Sequence, residues 1–105
     1  MKPFEVVVTP EAQSGIREAF LYIFARSPVN AGKWLQGLYA QIDTLERTPE
    51  RCAYARERDY LDCELRQLVF KSHRIVFNVD KAKSVVYVLH VRHAKRLAVG
   101  EPTEE

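Results

Sequence analysis

The chain has 105 residues, 47% of them hydrophobic and 29% charged, a size and balance that fit one soluble domain with a single core and argue against disorder away from the ends. Its net charge of +2 is unevenly spread: residues 64–96 carry eight Lys/Arg against only Glu64 and Asp80, while the segment 97–105 holds Glu101, Glu104 and Glu105. No apolar run reaches membrane-spanning length and residues 1–9 lack the layout of a signal peptide, so a cytoplasmic protein with no membrane partner is expected.

Phe4-Glu5-Val6-Val7-Val8 is short and β-branched and predicts a first strand. Thr9-Pro10-Glu11 then opens a helix, with a capping hydroxyl, a proline suited to the first turn and a carboxylate at the positive end of the dipole. Ile16, Ala19, Phe20 and Ile23 give it one buried stripe. Ser27-Pro28 repeats the start signal, so this helix ends near Arg26 and a second begins. Ala31, Trp34, Leu35, Leu38, Ile42 and Leu45 form its stripe as far as Thr48-Pro49, and the short joint makes the two helices a hairpin. Trp34 is read as a core anchor of that hairpin.

Residues 48–63 have no clean periodicity and read as a long loop with a short strand at most. Cys52 and Cys63, without CxxC spacing, read as reduced thiols. From residue 64 the period changes to two. Strands are predicted over 64–70, 74–79 and 84–91, and their short joints require an antiparallel meander. The fold class that follows is α+β, in the order β-α-α-β-β-β, a helical hairpin packed on one face of a small antiparallel sheet. Residues 1–96 form the single domain and 97–105 a polar acidic tail.

Alternation divides the strands between the two faces. Ile75, Phe77 and Val79, with Tyr87, Leu89 and Val91, are the more apolar sets and are expected against the helices. Arg74, His90 and Arg92 are then expected on the uncovered face, while Arg66 is ambiguous. Arginine offers a planar fork to phosphate, and histidine exchanges protons near neutral pH. A wet polar face is equally ordinary for an antiparallel sheet, and patterning alone leaves both readings open. No glycine-rich phosphate loop, HExxH or nucleophile motif is present, and neither a metal nor a cofactor is implied.

Several segments carry a resemblance in order along residues 4–96. They are Val8-Thr9-Pro10-Glu11-Ala12, Ala19-Phe20-x-Tyr22-Ile23, Ser27-Pro28-x-Asn30-Ala31, Trp34-Leu35-x-Gly37-Leu38, Glu64-Leu65-Arg66-Gln67-Leu68, His73-Arg74-Ile75-Val76-Phe77 and Val88-Leu89-His90-Val91-Arg92-His93. Together they resemble the RelE/ParE superfamily of toxins from type II toxin–antitoxin, or plasmid stabilisation, modules. The resemblance implies the same β-α-α-β-β-β fold, growth arrest, and neutralisation by a cognate antitoxin from an adjacent gene, with a homo- or hetero-oligomer as the form of the complex. ParE-like members inhibit DNA gyrase. RelE-like members are metal-independent endoribonucleases that cut mRNA on the ribosome.

For the RNA-cutting branch the resemblance implies Arg66, Arg74, Arg92 and His93 as catalytic candidates, with Glu57 a weaker one as general base. Arg74, His90, Arg92, Lys95 and Arg96 would form the nucleic-acid or target-binding surface. Residues 94–105 contain no counterpart of the tyrosine common near the C-terminus of that branch. The expectation is therefore a ParE-like gyrase inhibitor. The alternatives are a ribosome-dependent endoribonuclease and a non-toxic co-repressor module.

Overall fold

The computed structural model describes residues 3–55 and 65–94. A first strand, β1 (Glu5–Val8), leads into α1 (Pro10–Arg26) and α2 (Pro28–Asp43). Two short 3₁₀ turns follow, Thr44–Glu46 and Pro49–Arg51. The C-terminal part is β2 (Leu65–Phe70), β3 (His73–Asp80) and β4 (Val85–His93). The predicted second helix thus stops as an α-helix at Asp43 and tightens into 3₁₀ geometry, which keeps Leu45 buried.

Both helix starts form for the predicted reason. The Thr9 hydroxyl accepts from the Ala12 amide at 3.3 Å, and the Ser27 hydroxyl from the Asn30 amide at 3.3 Å. Thr9 also ties its helix to the sheet, its hydroxyl donating to the Val88 carbonyl at 2.8 Å.

The sheet order is β1-β4-β3-β2. The three C-terminal strands form the expected antiparallel meander, but β1 lies parallel to β4, with Val6 opposite Val86 and Val8 opposite Val88. The sheet is therefore mixed, which corrects the expectation of a purely antiparallel one. The path explains it: β1 reaches β4 only after the helical hairpin and the meander have carried the chain back to the starting edge.

The main core joins Ala12 and Ile16 of α1, Trp34, Leu38 and Ile42 of α2, and Ile75, Phe77, Val86, Val88 and Val91 of the sheet. On β4 this differs from simple alternation. Val86 and Val88 face the helices, whereas Tyr87 and Leu89 were expected to. The cause is a bulge: Phe77 pairs with Val88 and Val76 with His90, so Leu89 is an extra residue in β4. Beyond it the parity flips, and Val91 and His93 point to the helix side.

The opposite face is not bare. Ala55 packs with Leu65 and Val76 in a second small core that Leu89 joins. Backbone bonds from the Ala55 amide to Leu65 and from the Gln67 amide to Ala53 hold this covering segment along the edge of β2.

Candidate functional site

The paired registers decide where each basic residue lies. Residues opposite one another share a face, so Arg74 and Arg92, which pair directly, stand together on the outer face, as does His90 beyond Val76. This agrees with strand parity, but exposure does not. Arg74 is only 3% exposed, and its Nη1 donates to the Gln67 side-chain oxygen at 3.1 Å. The expected uncovered arginine is instead buried, on the same face as the second small core. His90 is half-buried, with Nδ1 3.6 Å from the Glu11 carboxylate at the start of α1.

Arg66 and His93 lie on the other side of the sheet. Arg66 pairs with Phe77, whose ring is in the main core, and His93 pairs with His73. The Arg66 guanidinium sits 4.4 Å over the Tyr54 ring, and its Nη1 donates to the Cys52 carbonyl at 2.7 Å. It clips the segment after the second 3₁₀ turn to the sheet. Cys52 is a buried free thiol whose pKa burial pushes up, although Arg51 and Arg66 pull the other way.

The candidates Arg66, Arg74, Arg92 and His93 are thus divided between two faces. Glu57, Lys95 and Arg96, with Cys63 and the acidic tail, lie outside the described residues.

On the helix side the structure shows a feature that residue pattern alone did not reveal. A cleft of about 470 Å³ opens between α1, Trp34 and the end of the sheet, lined by Glu18, Ala19, Tyr22, Ile23, Lys71 and His73 among others. The His73 and His93 rings meet there with centroids 5.3 Å apart, and the Trp34 and His73 rings make a second T-shaped contact at 5.2 Å. Burial, and then His93, hold the His73 pKa below its usual value. Among the described residues no group of three or more His, Cys, Asp or Glu could hold a metal, and no helix is long and apolar enough to cross a membrane.

Set beside known proteins, this geometry has clear relatives. Residues 6–98 match the family model for the ParE toxin of the type II toxin–antitoxin system parDE. One similar solved structure is from the chromosomal ParDE system of P. aeruginosa, with a TM-score of 0.70 and 14% identity over 88% of this chain and 97% of that one. Another is from the toxin–antitoxin complex RelBE2 of Mycobacterium tuberculosis, with a TM-score of 0.57 and 21% identity over 90% of this chain and 97% of that one. No curated protein matches the sequence. The fold is that of the RelE/ParE superfamily, two helices on a four-stranded mixed sheet. Within it, this chain belongs to the ParE toxin family of type II toxin–antitoxin systems.

Proposed function

We propose that this toxin acts in the cytoplasm by inhibiting DNA gyrase, and that a cognate antitoxin encoded beside it holds it inactive. The observation that carries the choice of target is the division of the basic side chains. RNA cleavage by acid–base chemistry requires its groups within hydrogen-bond reach of one phosphate. Here Arg66 is committed to Cys52 and Tyr54 on one side of the sheet. Arg74 is buried against Gln67 on the other. The match to the ParE family model supports the same reading. The two similar structures named above come from toxin–antitoxin systems, one of them described as a complex, and this supports an antitoxin partner.

Induced expression in a bacterial host tests this. Growth arrest accompanied by a DNA-damage response, and relieved by co-expression of the neighbouring antitoxin frame, is expected. Arrest with intact chromosomal DNA and cleaved mRNA would overturn the gyrase reading in favour of ribosome-dependent cleavage.

A further inference from the structure

The helix-side cleft has a chemical character separate from the toxin's target. One wall is hydrocarbon, from Ala19 and Ile23 of α1 and Val91 of β4. Polar groups gather at Trp34, Lys71, Ser72, His73 and His93. Trp34 is 4% exposed, and its Nε1, like the Nδ1 of His73, is buried without a hydrogen-bond partner. An indole N–H can only donate, and a lysine ammonium can only donate. Whatever answers them must carry an acceptor. A buried donor without a partner is costly, so a ligand supplying that acceptor gains from it.

Charge narrows the choice. Among the described residues that line the cleft, the titratable groups beside the histidine pair are Glu18 and Tyr22 from α1 and Lys71 from the β2–β3 turn, while α2 contributes the neutral Trp34. An anion beside Lys71 would meet opposite charge there. The volume of about 470 Å³ lies within the range typical of small-ligand sites. The apolar wall calls for a hydrocarbon body, which inorganic phosphate lacks.

We propose that this cleft binds an apolar carboxylate, its hydrocarbon body against Ala19, Ile23 and Val91 and its anionic head among Lys71, His73, His93 and the Trp34 N–H. Such a group occurs as a free aryl or branched-chain acid, and equally as the C-terminal apolar residue of a polypeptide. Because the anionic head favours the protonated form of His73, binding takes up a proton and tightens as pH falls.

Trp34 is the only tryptophan, so its fluorescence reports the cleft directly in the full chain. Phenylacetate should give a saturable change and bind at least about tenfold more tightly than phenethylamine, which has the same ring and a cationic head. Its affinity should rise several-fold from pH 8 to pH 6. Lys71→Glu should weaken it about tenfold, and Glu18→Gln should strengthen it about threefold. Both side chains are exposed, so neither change threatens the fold. Tighter binding of N-acetyl-Leu-Phe with a free carboxylate would assign the site to a chain end, and tighter binding of phenylacetate to a free acid. Equal affinity for the two head groups, or no saturable change with either, would overturn the proposal.

Discussion

Gly15 of α1 lies so close to the Val91 carbonyl of β4 that a Cβ built on it would sit 2.5 Å from the oxygen. The obstruction is backbone, so it cannot swing aside. In an open helix, Gly→Ala would stabilise by about 1 kcal/mol through propensity. Here overpacking of roughly 1–3 kcal/mol opposes that gain, and α1 must move off the strand to relieve it. Gly15→Ala should therefore lower stability by up to about 2 kcal/mol in urea unfolding. A higher midpoint would contradict this close approach of helix and strand.

Thr9 joins two tasks in one hydroxyl, accepting from Ala12 and donating to Val88. Thr9→Ala should cost about 1–2 kcal/mol, the upper range for a helix cap, because it removes both bonds. Thr9→Ser keeps the oxygen and should recover most of that loss. Thermal unfolding of the two variants separates the hydroxyl from the methyl.

Arg74 offers a sharper test of placement. A surface arginine on a wet sheet face would tolerate alanine within about 0.5 kcal/mol. A side chain that is 3% exposed and bonded to Gln67 would not. Arg74→Ala should cost roughly 2–3 kcal/mol, and Arg74→Met less, since methionine preserves the packed stem. Any loss of toxicity in Arg74→Ala must accordingly be read beside its unfolding curve.

His73 gives the fold a pH dependence of known sign. Its folded pKa is held below the usual 6.5 by burial and by His93, so the unfolded chain binds the proton more readily. Its contribution is fully present well above pH 6.5 and is lost as pH falls through the unfolded value towards the lower, folded one. Stability measured at pH 8 and pH 5.5 should drop toward acid in the parent, and less so in His73→Gln. An equal slope in both would contradict the assignment.

Much of this architecture is legible in the residues because its signals are local. Thr9-Pro10 and Ser27-Pro28 start the two helices where they fall, and the short joints at Lys71-Ser72 and residues 81–84 impose the meander. Three features are not legible because they depend on partners distant in sequence. The extra residue Leu89 reverses strand parity midway along β4, and nothing in Tyr87 to Val91 marks it, since every residue there suits either face. Arg74 is placed on the correct face by alternation, yet its burial and its bond to Gln67 of the neighbouring strand follow from strand pairing, which alternation does not encode. The cleft arises only when register sets His73 against His93 beside Trp34. A histidine at each of two strand ends joined by a hairpin was the available sign of that pairing.

The target remains the central claim, and purified protein tests it most directly. Incubated with DNA gyrase, ATP and supercoiled plasmid, it should trap cleaved, gyrase-bound DNA, while mRNA on translating ribosomes stays intact under matched conditions. Intact plasmid together with cut ribosomal mRNA would contradict the account, and would place the chemistry among Arg66, Arg74, Arg92 and His93 despite their separation across the sheet.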